Sequence, residues 1–401
     1  MDLVESAKNW TDLIMIPYGR QDITQEDIDA VVAVLKSDFL TQGPLVPQFE
    51  HSVAQYCDAQ FAVAVNSATS ALHIACLSLD IGPGDIAWTS PNSFVASANC
   101  AIYCGATVDF VDIDPLTYNM SAIALEEKLR EAKKLNRLPK VVIPVHFAGQ
   151  SCEMKKIHAL SMDYGFRIIE DASHAIGGRY LDSLIGNCEY SDITVFSFHP
   201  VKIITTAEGG MAVTNDGELA KRMRLFRSHG ISSDPIDMEP RPAVEIGNYQ
   251  QIELGYNYRM TELQAALGLS QIKRLDEFVS KRNKLAQIYN QGLINLPINL
   301  PAQRPESYSS FHLYVISLMA DDKKNTQRHL YEAMRASGIL VNLHYIPIYR
   351  QPYYERMGFK MGYCPVAESF YRAALSIPMY PLLTEEQQGY VMYTLNTVLK
   401  L

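Results

Sequence analysis

Residues 193–210 read ITVFSFHPVKIITTAEGG. The apolar run that opens this stretch has the makeup of an interior strand, and a single amine, Lys202, stands beyond its end, followed by threonines and glycines. Lysine is among the side chains least often buried, so its place at the mouth of a buried strand needs a chemical reason. The same texture recurs upstream. FAVAV precedes SATSALHIACLSL, DIAW precedes SPNSFVASANC, ATVDFVDI precedes an amphipathic segment from Ala122 to Asn136, KVVIPVHF precedes CEMKKIHALSMDY, and FRIIED follows. Short apolar runs buried on both faces and separated by helices predict an α/β fold with a mostly parallel central sheet covered on two sides.

Three of these runs end in polar residues: Asn66 after FAVAV, Asp171 closing FRIIED, and Lys202 after ITVFSF. Ligands of open α/β sheets gather beyond the carboxyl ends of the strands, so the three can share one cleft. Ser67, Thr69 and Ser70 sit where a strand turns into a helix, and free N–H groups and hydroxyls there face an anion-sized space. Capping by Ser67 accounts for the serine equally well, and neither a GxGxxG nor a Walker lysine accompanies it. Glu170 and Asp171 end an apolar strand, where an acid needs a partner to stay charged; a cofactor's protonated ring nitrogen, a salt bridge or a helix cap would each serve. A lysine held near an apolar cleft has a lowered pKa, is partly neutral, and forms Schiff bases with carbonyl compounds. Jointly, an anion cup, a carboxylate and a nucleophilic amine match the phosphate, ring nitrogen and aldehyde of pyridoxal phosphate. Phe94, just past DIAW, offers a flat contact for a planar ring, or else a core side chain. His146, His174 and His199 lack an i,i+4 histidine or a ligand-spaced cysteine, so no metal site is expected.

The chain has 401 residues, 48% of them hydrophobic, and a formal charge of −9 with basic residues scattered among acids, as in EEKLREAKKLNR. Such a balance argues against nucleic acid as a partner. Seven cysteines without a CxxC pair read as buried small side chains in a reducing compartment. No apolar stretch approaches membrane-spanning length and no secretory leader is visible, so a cytoplasmic protein without a membrane partner is expected. Residues 1–45 read as an N-terminal arm holding the helix TQEDIDAVVAVLKS, with Thr24 as cap and Asp27 closing a capping box. Residues 46–275 form the large domain. Past Gly255 an almost continuous helix, TELQAALGLSQIKRLDEFVSKRNKLAQIYNQGL, leads into a smaller α+β domain over 276–401, where FHLYVISL and LVNLHYIP read as strands.

With these residues in hand, nearly the whole chain resembles the DegT/DnrJ/EryC1/StrS sugar-nucleotide aminotransferases. The likeness runs through FLTQGPLVPQFE, NSATSAL, EDASHAIGG, SFHPVKIITTAEGG, FRSHG, GYNYRM and HYIPIY. It implies the aspartate aminotransferase-like fold type I of pyridoxal-phosphate transferases, with pyridoxal 5'-phosphate covalent on Lys202, Asp171 on the pyridinium nitrogen and Phe94 on the ring face. His174 would lie beside the cofactor oxygen; Ala68, Thr69 and Ser197 would hold the phosphate. The asparagine matching Asn257 reaches the neighbouring subunit's phosphate site in the family, which implies a homodimer with shared active sites. L-glutamate would be the amino donor and a UDP-linked keto sugar the acceptor, its pyrophosphate met by Arg227 and His229 with Tyr345 and Tyr349 nearby. Within the family, SFHPVKIITTAEGG and HYIPIY are most similar to the C4-aminating branch of pseudaminic acid biosynthesis; Ala207 and Tyr349 agree with it. Perosamine, bacillosamine or aminoarabinose precursors, or amination at C3, are the alternatives. The family's dehydratases carry histidine where this chain has Lys202. A non-catalytic cofactor-binding protein would be expected to have lost Lys202 or Asp171, and both are intact.

Overall fold

A computed structural model of the chain describes residues 15–242, 247, 249–319 and 326–400. Its centre is a seven-stranded sheet: β1 (Phe61–Val65), β2 (Ile86–Thr89), β3 (Thr107–Phe110), β4 (Val141–Ile143), β5 (Arg167–Asp171), β6 (Ile193–Ser197) and β7 (Gly210–Thr214), in spatial order β1-β7-β6-β5-β4-β2-β3. All neighbours are parallel except those of β7, which runs antiparallel to both β1 and β6. Both faces are apolar because alternate residues point to opposite sides. In β1, Val63 and Val65 join one core with Ala71, Ile74, Ala75, Leu219 and Met223, while Ala62 and Ala64 join another with Phe49, Val53, Phe196 and Met211. Helices α1 (Ala68–Ser78) and α2 (Gly217–Arg227) thus cover one face and helices Leu45–Cys57 and Glu262–Ile272 the other.

The register sets up the site. Gly210 of β7 lies opposite Val65 of β1 on one side and Ser197 of β6 on the other, and Asp171 of β5 lies opposite Val195 of β6. Four adjacent strands therefore bring Asn66–Ala68, Gly210, Ser197 and Asp171 to one edge, although up to 144 residues separate Asn66 from Gly210 along the chain (210 − 66).

Two segments differ from the sequence expectation. The long helix past residue 261 breaks at Lys273 and Arg274 into Glu262–Ile272 and Leu275–Leu293. At that break the Arg274 guanidinium binds Asp22 at 3.2 Å and buried Asp27 at 2.7 Å, and Asp27 also takes the Thr24 N–H and the Gln271 amide. The amino-terminal helix Gln25–Leu35 is tied down by that acid; residues 1–14 of the expected arm lie outside the described residues. LVNLHYIP is not a strand throughout: Leu340, with Ile339 before it, pairs in parallel with Ile16–Pro17, Asn342 makes a single antiparallel bridge to Ser376, and the segment then runs on as loop. A further core, around Tyr289, Tyr314, Ile316, Leu330, Met334 and Leu395, surrounds the antiparallel strands Ile298–Asn299, Tyr314–Leu318 and Ala374–Ile377.

Candidate active site

The cup forms where β1 meets α1. Ser67 is the N-cap of α1: its Oγ accepts the Ser70 N–H at 3.1 Å, and the Ser70 hydroxyl donates to Asn66 Oδ1 at 2.7 Å. Capping by Ser67 satisfies one orphan donor of the first turn and leaves the Ala68 and Thr69 N–H groups without a partner inside the helix. Both residues are half-buried, at the positive end of the helix dipole. The backbone of Gly210 passes so close that a Cβ there would stand 2.5 Å from Ala68 N and from the Ser67 carbonyl. Ser197 is buried at the matching rung of β6.

Asp171 is buried beside the cup's neighbouring strand end. Its Oδ2 accepts the Ser97 hydroxyl at 2.6 Å, and its Oδ1 accepts the Ser173 hydroxyl at 2.6 Å and the Ser173 N–H at 3.1 Å. Glu170, one residue earlier, points to the other face of β5. There it accepts Ser191 at 2.5 Å and Thr194 at 3.2 Å and pairs with His146 Nε2 at 2.6 Å. His146 Nδ1 accepts the Cys152 N–H. Alternation along one strand thus separates an acid tied into a buried network from one facing the cleft. Sequence reading missed Ser97 and Ser173; both lie within four residues of residues it singled out, Phe94 and Asp171, and a hydroxyl at that distance is a normal partner for a strand-end or helix-start acceptor.

Lys202 is half-buried beyond β6, its N–H bonded to the His199 carbonyl at 2.9 Å. Burial pushes its amine down to about 8, against the opposing pull of Asp171. His174 is buried, and its Nδ1 accepts the Ala148 N–H at 3.2 Å, so the ring proton sits on Nε2 and is donated to the Tyr345 hydroxyl at 3.2 Å. Burial, with the charges of Lys202 and His344, holds this imidazole well below its usual range, so it stays neutral. His312 packs against it at 4.4 Å between ring centroids and was not anticipated from sequence. Phe94 is 60% exposed, on the turn that leads into Ser97.

Two residues expected at the sugar nucleotide are engaged elsewhere. The Arg227 guanidinium is mostly buried, paired with Glu50 and bonded to the Ala64 carbonyl at 2.9 Å, where it fastens the end of α2 to β1. Tyr349 is fully buried in a core with Phe110 and Phe359; its hydroxyl donates to buried Glu368 at 2.6 Å and accepts the Cys364 N–H at 3.1 Å. Neither contact was anticipated from sequence, with one cause: a charged or hydroxyl tip is recognisable there, but its partner across 177 or 19 residues is not. Tyr349→Phe is expected to lower folding stability by about 1–3 kcal/mol, the cost of leaving the Cys364 N–H without its acceptor and of removing one of the hydrogen bonds to buried Glu368, which keeps the Gly362 N–H. The KM for the sugar nucleotide should stay within twofold; chemical denaturation and initial rates check the two halves. His229 is exposed with φ +62°, its N–H bonded to the Tyr256 carbonyl at 2.9 Å, next to Ser228, which faces Asn257 across an antiparallel bridge. Asn257 is also exposed, its carbonyl 3.5 Å from the Asn66 amide at the outer side of the cup.

These residues fit pyridoxal phosphate. The cup offers unpaired N–H groups lined by a backbone that admits no side chain at Gly210, the carboxylate has acceptor capacity left, and the amine is lowered toward neutrality. The comparisons with known proteins agree. A model of the DegT/DnrJ/EryC1/StrS aminotransferase family matches residues 21–396. The spore coat polysaccharide biosynthesis protein SpsC of Bacillus subtilis is 37% identical over 96% of this chain and 97% of its own length. UDP-4-amino-4,6-dideoxy-N-acetyl-beta-L-altrosamine transaminase of Campylobacter jejuni is 35% identical, covering 96% and 98%. Among solved structures, Helicobacter pylori PseC, an aminotransferase involved in the biosynthesis of pseudoaminic acid, superposes with a TM-score of 0.87 at 32% identity, covering 96% and 99%. The PLP form of the sugar aminotransferase Spr1654 from Streptococcus pneumoniae gives 0.85 at 28%, with 96% and 99% covered. The chain belongs to the DegT/DnrJ/EryC1/StrS aminotransferase family and is a pyridoxal-phosphate-dependent nucleotide-sugar aminotransferase.

Proposed function

We propose that this enzyme moves the amino group of L-glutamate to C4 of a UDP-linked 4-keto-6-deoxy-N-acetyl hexose, UDP-2-acetamido-2,6-dideoxy-beta-L-arabino-hex-4-ulose, giving UDP-4-amino-4,6-dideoxy-N-acetyl-beta-L-altrosamine for pseudaminic acid. The observation that carries the choice of sugar is the end-to-end likeness to the altrosamine transaminase together with PseC. SpsC is as similar, so a C4-aminated sugar of another surface polysaccharide is the second reading.

Bound pyridoxal phosphate supplies the aldehyde that carries the amino group and the electron sink for a carbanion at the donor's Cα. Lys202 would hold the cofactor through Nζ; set free when the donor's amino group takes its place there, that Nζ, lowered toward neutrality, would take a proton from the donor's Cα and give one back, serving as base and then acid. Asp171 would accept the ring N–H. The Ala68 and Thr69 N–H groups and Ser197 would hold the phosphate. Phe94 would cover a ring face, and neutral His174, its Nε2 proton given to the Tyr345 hydroxyl, would stand with that tyrosine beside the cofactor's oxygen. Tyr345, bonded to His174, belongs to the same corner rather than to the nucleotide. Asn257, exposed next to the cup, reaches the phosphate site of a second copy, making a homodimer with shared sites.

Incubating the purified enzyme with L-glutamate and a panel of UDP- and dTDP-linked 3-keto and 4-keto sugars, followed by NMR of the products, tests the reading. We expect amination at C4 of the UDP-linked N-acetyl sugar at a kcat/KM at least about tenfold above the others, a difference of about 1.4 kcal/mol in transition-state binding. Preference for a 3-keto or dTDP-linked sugar would overturn it.

A further inference from the structure

We infer that Ser97 is a positioning residue for the cofactor's ring nitrogen, acting through Asp171 by dictating which carboxylate lone pair remains free. The inference rests on reading Asp171 as the partner of that nitrogen.

An ionised carboxylate has about four acceptor positions, two on each oxygen. On Asp171, Ser173 fills Oδ1 twice, with its hydroxyl at 2.6 Å and its N–H at 3.1 Å, and Ser97 fills Oδ2 once at 2.6 Å. One position is left, and it is on Oδ2. The direction of the Ser97 bond follows from proton counting. Ser97 has a single hydroxyl proton and three oxygens in reach: Asp171 Oδ2 at 2.6 Å, Ser93 Oγ at 2.7 Å and the Phe94 carbonyl at 3.3 Å. The carboxylate is closest and charged, so it takes the proton, and Ser93, buried like Ser97, must donate to the Ser97 oxygen. The chain Ser93 to Ser97 to Asp171 is therefore polarised in one sense, each bond strengthening the next. Because Ser97 stands one turn past Phe94, a single turn bears both the exposed ring expected on the cofactor's face and the hydroxyl that orients the acid at its edge. Without Ser97 the two Ser173 bonds would still hold Oδ1, but Oδ2 would lose its only partner and could swing about that anchor, offering the ring nitrogen a misdirected lone pair.

The test compares Ser97→Ala, Ser97→Thr and Ser93→Ala, each also in an Asp171→Asn background. Cofactor dissociation constants are measured by titrating apoprotein, and the pH midpoint of the bound chromophore's colour change by absorbance. Ser97→Ala is expected to weaken cofactor binding about tenfold, the worth of one hydrogen bond to a charged group, and to move the colour midpoint by about half a pH unit or more. Ser97→Thr should restore both, and in the Asp171→Asn background Ser97→Ala should change neither. Should Ser97→Ala fail to fold, Ser93→Ala is expected to move the same two readouts in the same sense by about two- to threefold in affinity. A lower melting temperature with unchanged affinity and colour midpoint would overturn the inference, as would an equal effect with Asp171 already replaced, or a Ser93→Ala protein that behaves as wild type. If Asp171→Asn itself leaves affinity and spectrum untouched, it is the assignment of Asp171 that fails.

Discussion

Lys202→Ala is expected to reduce amino transfer by about 10⁴-fold or more, since it removes at once the covalent anchor and the group that shuttles the proton, and general acid–base action alone supplies up to about 10⁴. The protein should still fold and bind cofactor noncovalently, because the cup and Asp171 do not depend on the amine; its absorbance should be that of the free aldehyde. The pH dependence follows from the same group. The neutral amine is the reactive form, and burial brings its pKa down to about 8, so capture of cofactor by apoprotein should rise roughly tenfold per pH unit below that value and level off above it. Stopped-flow absorbance between pH 6 and pH 9.5 reads the profile. A plateau reached only above pH 10 would mean an ordinary, solvated lysine. Turnover of Lys202→Ala within tenfold of wild type would remove the lysine from the chemistry altogether.

How much of this was legible in the sequence depends on the range of the interaction that decides each feature. Six of the seven sheet strands are visible as apolar runs, because burial on both faces leaves an unbroken composition signal. The seventh, GMAVT, is equally apolar but was not singled out, since it follows the glycine pair directly; its antiparallel pairing with β1 and β6 is a property of the sheet that no local pattern encodes. The convergence of Asn66, Asp171 and Lys202 was legible because a general rule places ligands at strand ends. Ser97 and Ser173 were not, since a serine near an acid is common and only the folded register shows it pointing there. The partners of Arg227 and Tyr349 were not legible either: the chemistry of both suits a sugar diphosphate, and their pairing with Glu50 and Glu368 is chosen by tertiary packing, which leaves no trace in neighbouring sequence.

Gly210→Ala should cost the enzyme its cofactor by distorting the cup from behind. The added Cβ would sit 2.5 Å from Ala68 N and from the Ser67 carbonyl carbon and oxygen, all of them backbone atoms that cannot swing aside as a side-chain tip can. Nor can β7 retreat easily, since Gly210 is paired with Val65 on one flank and Ser197 on the other, and moving it breaks rungs of the central sheet. The start of α1 must therefore shift, carrying with it the Ala68 and Thr69 N–H groups whose direction makes the anion site. We expect the cofactor dissociation constant to rise about 100-fold, equivalent to about 2.7 kcal/mol, and stability to fall by about 1–3 kcal/mol from overpacking. Gly217→Ala is the matched control. Its Cβ would meet nothing nearer than Phe61 at 3.5 Å, an ordinary contact at the first residue of α2, and it should leave affinity unchanged and stability equal or slightly higher. Titration of apoprotein with pyridoxal phosphate and thermal melts of both variants decide the matter. Affinity of the Gly210→Ala protein within threefold of wild type would show that the phosphate is not held at the start of α1, because no arrangement of that turn accommodates both the methyl group and undisturbed donors.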